Sequence, residues 1–246
     1  MTKRLKFFLG HLLVSICIAL LFIGVVFLCW YPAPLAKAVG VTHIFLMLIA
    51  IDVIVGPVLG LLVYREGKKT LKMDLTVIIV LQLSALCYGM YSIAQARPVW
   101  VVFNNDKFEL VRNNQIKTDK INKAQLQYQY PSWFKPQYVA IQQSNDPQQR
   151  KIEQMNAILN GVSLAEYPDR YIAIDQVKDN ILSSAQDLTK LEQSNDKGII
   201  YKYLNMYPQA NAWLPLETYD VPMVILIDRK NAEIIKIVDL RPSKSI

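Results

Sequence analysis

The feature that most limits what this chain can fold into is a set of three apolar runs, Phe7–Trp30, Val39–Val63 and Leu75–Ile93, all before Pro98. As helices rising 1.5 Å per residue they reach about 36, 37 and 28 Å, enough to cross a hydrocarbon layer about 30 Å thick with some tilt. Backbone groups in lipid must be satisfied within their own segment, so each run is predicted to be a helix. The expected division is a transmembrane domain over residues 1–97, with spans at about 7–30, 39–63 and 75–96, and an outer domain over 98–246.

Lysine and arginine in the short loops set the expected direction. Lys3, Arg4 and Lys6 precede the first span, and Arg65, Lys68, Lys69 and Lys72 follow the second, whereas the loop after the first holds only Lys37. Basic loops stay in the cytoplasm, so the N-terminus is expected there, with residues 31–38 and everything beyond Arg97 on the far side. The formal net charge of +7 follows the same pattern: residues 1–96 carry eight Lys/Arg against three Asp/Glu, the remainder nineteen against seventeen. Most of the basicity is a topology signal that also attracts anionic lipid, and nucleic acid is not an expected partner. Lys3–Lys6, a long apolar run and Ala36-Lys37-Ala38 also resemble a signal peptide, but a run of about 24 residues exceeds the usual 7–15. Retention of the first span is the expectation. Cys17, Cys29 and Cys87 all fall in the spans, so the outer domain folds without disulfides.

Past Arg97-Pro98, Val99–Phe103 and Lys107–Arg112 flank Asn104-Asn105-Asp106 and read as a β-hairpin. A short helix is predicted within Thr118–Gln127, capped by Thr118 or Asp119, and a strand at Tyr138–Gln142. Asp146-Pro147 reads as a helix start and Gly161 as its stop, with Ile152, Met155 and Leu159 on one face between them. Further helices are predicted within Gln176–Glu192 and Lys197–Tyr207, and a closing hairpin from Asp220–Ile227 and Glu233–Asp239 around Asp228–Asn231. Strand pairs at both ends with helices between them imply a small α+β domain.

Asp52 is the sharpest feature of the spans. A mid-span carboxylate costs about 2.5–3.5 kcal/mol on the insertion scale, so Asp52 should face protein. His43 lies on the opposite helix face, while Tyr88 and Ser84 sit at similar depth and are the expected intramembrane partners. The alternative is that Asp52 meets a polar group on a partner's membrane helix. Gly56-Pro57-Val58-Leu59-Gly60 follows at once: Pro57 frees the Val53 carbonyl, and Gly56 and Gly60 permit close helix approach. Two readings stand: packing against the first or third span, or, with Asp52 and Pro57, a contact for another protein's helix.

Enzyme chemistry finds little support. An intramembrane aspartyl hydrolase needs a second carboxylate opposite Asp52. Both histidines, His11 and His43, lie in the membrane region, leaving none outside for a dyad or a typical zinc site. Ser132-Trp133-Phe134-Lys135 matches S-x-x-K without its companion motifs. No catalytic residue, cofactor or metal is expected. The outer domain offers aromatics instead, and Tyr128, Tyr130, Trp133 and Phe134 are the candidate partner-facing set, with core and membrane-interface roles as the alternatives.

Residues Ile51–Leu59, Tyr64-Arg65-Glu66-Gly67-Lys68-Lys69, Met73-Asp74-Leu75, Leu81-Gln82-Leu83, Tyr88-Gly89 and Ala96-Arg97-Pro98 together resemble the TfpX/TfpZ family of type IV pilin accessory proteins. The resemblance continues through Asp106–Val111, Trp213-Leu214-Pro215-Leu216, Ile227-Asp228 and Val238-Asp239-Leu240-Arg241-Pro242, and departs at Asn104-Asn105. It implies a bacterial inner-membrane protein with a periplasmic C-terminal domain that helps a particular major type IV pilin into the pilus, with other assembly proteins and membrane lipid as further partners. Such pilins carry an N-terminal hydrophobic helix and a periplasmic head, both open to contact by a chaperone-like helper. The alternative, from another class, is a membrane-anchored sensor or transport subunit whose outer domain encloses a small-molecule pocket.

Overall fold

The computed structural model describes residues 1–144 and 146–242, which divide into two compact units: Met1–Ala36 with Gly40–Ala96, and Lys37–Val39 with Arg97 onward. The first unit holds three long helices, Lys3–Gly24, Val41–Val63 and Leu71–Gln95. A π-type turn, Val25–Trp30, continues the first of them. Helices one and three begin about four residues before their apolar runs, because capping, not apolarity, sets a helix start. Thr2 accepts a hydrogen bond from the Leu5 N–H. The Thr70 hydroxyl donates to Asp74 in the first turn of the third helix, and Lys68 pairs with the same carboxylate at 2.6 Å. An acidic first turn complements the helix dipole.

The second helix packs against both others and runs through Pro57 unbroken. Its buried residues, Val41, Phe45, Ile49, Asp52, Gly56, Pro57 and Gly60, recur every three or four positions and form one stripe. At the far end the Tyr31 hydroxyl donates to the Ile93 carbonyl at 2.7 Å, joining the end of the first span to the third.

The second unit is built on a mixed eight-stranded sheet. Its strands are β1 (Pro98–Asn104), β2 (Lys107–Arg112), β3 (Gln137–Ile141), β4 (Tyr171–Ala173), β5 (Gln186–Asp187), β6 (Ala212–Glu217), β7 (Met223–Asp228) and β8 (Glu233–Val238). They lie in the order β4-β3-β1-β2-β6-β7-β8, with β5 added to β6. The first and last hairpins form as the turn residues predict. Asn105 takes the left-handed backbone conformation that Asn tolerates. In the closing turn the Asp228 carboxylate accepts from the Lys230 N–H and from the Asn231 and Asn211 side chains, and these bonds hold its carboxyl below the usual range.

Between the hairpins the structure corrects several expectations. Residues 118–127 form only isolated turns, Ile121–Lys123 and Leu126–Gln129, with no helix capped by Thr118 or Asp119. A helix does form within the expected 176–192, at Lys178–Ser184, and β5 and a 3-10 stretch follow it. β4 and β6 were not anticipated. Helices Pro147–Asn160 and Lys197–Met206 form where predicted, but Ile152, Met155 and Leu159 on the former are exposed.

Apolar clusters among the described residues of the unit include two built around tryptophans. One surrounds Trp100, with Tyr128 and Tyr171 edge-on to its ring, Val102, Val139 and Ile141. The other surrounds Trp213, with Leu191, Ile200, Val224 and Leu226. The Trp213 indole N–H donates to the Asp187 carbonyl at 2.9 Å, so its one polar atom is satisfied. Residues 37–39 join this unit through the Ala38 carbonyl, which accepts from the Asp220 and Val221 N–H groups, and through a 2.6 Å Lys37–Asp239 pair.

Candidate functional site: a polar cluster among the three spans

Asp52 is 7% exposed and faces the interior of the helical unit. Its partner is Gln82 on the third helix. The Gln82 amide N–H₂ donates to the Asp52 backbone carbonyl at 3.0 Å and to the Ser15 hydroxyl at 3.2 Å. Its Oε1 lies 3.1 Å from His11 Nε2 on the first helix. One side-chain amide therefore touches all three spans. His11 Nδ1 is buried without a hydrogen-bond partner.

This corrects the expected partners of Asp52. Tyr88 is 74% exposed and Ser84 is also exposed, so neither is brought to it. Counted along the third helix, Ser84 lies about 3 Å and Tyr88 about 9 Å beyond Gln82, and depth says nothing about azimuth. At 100° per residue, Ser84 and Tyr88 are rotated about 200° and 240° from Gln82 and point away from the second helix. The readable signal was the shared depth of the polar residues. Counted from Lys3, His11 and Ser15 lie about 12 and 18 Å along the first helix, and Asp52 counted from Val63 and Gln82 counted from Leu71 both lie about 16 Å in.

The glycine pair is consumed by packing inside the unit. A Cβ on Gly56 would stand 2.0 Å from Gln82 Oε1, and one on Gly60 would stand 2.9 Å from the Phe7 ring. Gly56 thus seats the third span and Gly60 the first, with Pro57 buried between them. Gly89, which sequence reasoning passed over, makes the reciprocal approach: its Cβ would meet Leu48 at 2.5 Å. These three small residues let helices approach closely where lipid supplies no hydrophobic drive for association.

A cavity of about 530 Å³ opens beside this cluster, lined by Lys6, Phe7, His11, Ser15, Asp52 and Gln82 together with apolar residues such as Val14, Ile18 and Ile79. A smaller one of about 220 Å³ lies along Leu48, Val55, Gly56 and Ala85. Asp52 and Gln82 line both. Chemically the site offers hydrogen-bond donors, acceptors and one acidic group inside an apolar wall. That suits recognition of a polar group within a membrane segment.

In the outer unit the four candidate aromatics part company. Tyr128 belongs to the Trp100 cluster at 7% exposure, which corrects its expected partner-facing role. Tyr130, Trp133 and Phe134 are exposed, at 79%, 64% and 66%. The Arg97 guanidinium stacks 4.5 Å over the Trp133 ring. Clefts of about 290, 410 and 520 Å³ on this unit are surface features lined by mixed polar and apolar residues such as Glu153, Arg170, Asp175 and Glu217.

Three apolar helices with a buried polar cluster, followed by an α+β unit on a mixed sheet, define a membrane-anchored α+β protein. The chain belongs to the family of fimbrial assembly proteins. The family model for the fimbrial assembly protein FimB matches residues 1–40. Two relatives from Dichelobacter nodosus, the fimbrial assembly proteins of serogroups I and E1, are each 31% identical over 182 residues, covering 73% of this chain and 70% of theirs. A third, from serogroups C1 and C2, is 38% identical over 116 residues, covering 46% of this chain and 88% of its own. No solved structure matches.

Proposed function

We propose that this protein is a pilin-specific accessory factor of type IV pilus assembly, held in the bacterial inner membrane with its N-terminus in the cytoplasm and its outer unit in the periplasm. Family membership supports the assembly role. The lysine and arginine bias of the loops supports the direction. For any three-span chain the first loop and the C-terminal unit share a side, and the pairing of residues 37–39 with the outer unit agrees with retention of all three spans.

The observation that carries the mechanism is the cavity beside Asp52 and Gln82, with the unpartnered His11 Nδ1 in its wall. Because Gly56, Pro57 and Gly60 are covered by the chain's own helices, the contact for the pilin's hydrophobic helix lies between the first and third spans. Asp52 acts there from inside the cluster, with Gln82 and His11 presenting the hydrogen-bonding edge. The outer unit contacts the pilin head, and two weak contacts on one partner reinforce each other through effective concentration. Other pilus assembly proteins and membrane lipid are further partners in this reading.

The test is surface-pilus yield in a deletion strain expressing cognate or heterologous pilin at equal levels. Loss confined to the cognate pilin is the expected outcome. Unchanged piliation with both pilins would sink the proposal. A photo-crosslinker at cavity-lining Val14 should capture the pilin helix, whereas one at exposed Leu62, outside the cavity, should not.

A further inference from the structure

We infer that residues 117–135 form a membrane-surface anchor, with Tyr130, Trp133, Phe134 and Leu126 seated in the lipid interface and Lys120, Lys123 and Lys135 facing anionic headgroups, while Lys117 pairs with Glu166 at 3.6 Å. This goes beyond the pilin-assembly reading and does not depend on it.

Composition singles the segment out. It carries four lysines against Asp119 alone, a net of +3, while residues 97–246 as a whole carry nineteen positive and seventeen negative charges, a net of +2. Without this segment the outer domain has fifteen positive and sixteen negative charges, a net of −1, so its positive balance resides here. Leu126, at 80% exposure, adds a fourth large apolar group to the three exposed aromatics. Basic residues interleaved with exposed aromatic and aliphatic groups are the composition of a segment that lies on a bilayer. Tryptophan and tyrosine are the residues that settle at the headgroup level, where one edge meets water and the other hydrocarbon.

Connectivity gives the lipid a claim over other occupants. The third span ends at Gln95, and Arg97 follows two residues later, no more than about 7 Å along the chain. The guanidinium of this same Arg97 stacks on Trp133, and its NH2 reaches the Ser132 carbonyl at 3.5 Å. The exposed ring is thus tied to the residue at which the chain leaves the membrane. Tyr128, buried against Trp100 and Tyr171, fixes the inner side of the segment so that its outer side stays presented. Lysines beside an anionic surface add an attraction that falls off within a Debye length, so the anchoring depends on lipid charge.

The experiment uses the full chain in nanodiscs of zwitterionic and anionic lipid, with bromine placed near the upper acyl positions. The emission of Trp133 itself is the difference between wild type and Trp133→Phe, which removes the contribution of Trp30, Trp100 and Trp213. The expected result is a blue-shifted difference spectrum that bromolipid quenches. A second variant, Lys120→Glu, Lys123→Glu and Lys135→Glu together, keeps every tryptophan and should lose quenching in anionic discs. A difference spectrum that is red-shifted and insensitive to bromine would overturn the anchor. So would bromine-insensitive emission that shifts blue only when purified pilin is added, which would make the surface a protein contact. Piliation is not the readout, so the anchor can fail while the pilin reading stands, and the reverse.

Discussion

The two units of this protein are organised in opposite senses. Among the spans, Ser15 and Asp52 are buried while Leu20, Leu21, Ile54 and Leu62 lie on the outside. In the outer unit Trp100, Trp213, Leu214 and Ile225 are inside, and lysines, glutamates and asparagines cover the surface. The solvent explains the inversion. Water drives apolar groups together, whereas lipid tails are as apolar as leucine and leave close packing and hydrogen bonds to hold helices to one another. The same substitution should therefore have different costs in the two regions.

The largest effect should come from the outer core. Trp213→Ala removes a fully buried ring and should cost about 3–5 kcal/mol, read from the unfolding of the outer unit within the full chain. Leu62→Ala, a truncation on a lipid-facing position, should change span stability by less than about 0.5 kcal/mol, and a large loss there would break the comparison. Next comes Gly56→Leu, which drives a side chain into Gln82 and should cost about 1–3 kcal/mol in a detergent-unfolding titration. Gly10→Ala, where the added Cβ meets nothing, serves as its control without a clash. Smaller again is Gln82→Leu. Replacing the amide that links the three spans should cost about 0.6–1.7 kcal/mol, the range seen for intramembrane hydrogen bonds.

The smallest effect sharpens the outer side of the comparison, where an ion pair meets water. Arg170 holds Glu153 in two hydrogen bonds of 2.7 and 2.8 Å, keeping the Glu153 carboxyl below its usual range. The folded state thus binds this proton less readily than the unfolded one. The contribution is complete above the ordinary glutamate value near 4.5 and disappears as pH falls through the lower folded value. For a partly solvated pair it amounts to about 0.2–1 kcal/mol. Glu153→Gln should flatten that acid limb in a melting series from pH 3 to 6 (about one to two units either side of 4.5), and an unchanged slope would remove the pair from the account.

What could be read from the sequence follows the strength of local signals. The three spans are spelled out by apolar length, and the two end hairpins by Asn104-Asn105-Asp106 and Asp228–Asn231, whose side chains fit tight turns. β6 was hidden by Pro215, since a proline inside an apolar run argues against a central strand. The strand tolerates it because Ala212 and Trp213 pair with β5 while Leu216 and Glu217 pair with β2 on the other side of the proline. Tyr128 looked like its exposed neighbours because only tertiary contact separates a core tyrosine from a surface one. In the candidate site, Asp52 announced that it needed a partner. Which residue answered depended on helix rotation, which depth alone does not encode.

The placement of Gln82 also bears on how the protein is made. Synthesis runs from the N-terminus, and domains form in that order. The residue that ties His11, Ser15 and Asp52 together arrives on the last span. A chain halted after the second span would leave an aspartate and a histidine facing lipid with no amide to receive them, at a depth where unsatisfied polar groups are costly. Completion of the third span is thus also the step at which the polar groups of the first two gain their shared amide partner.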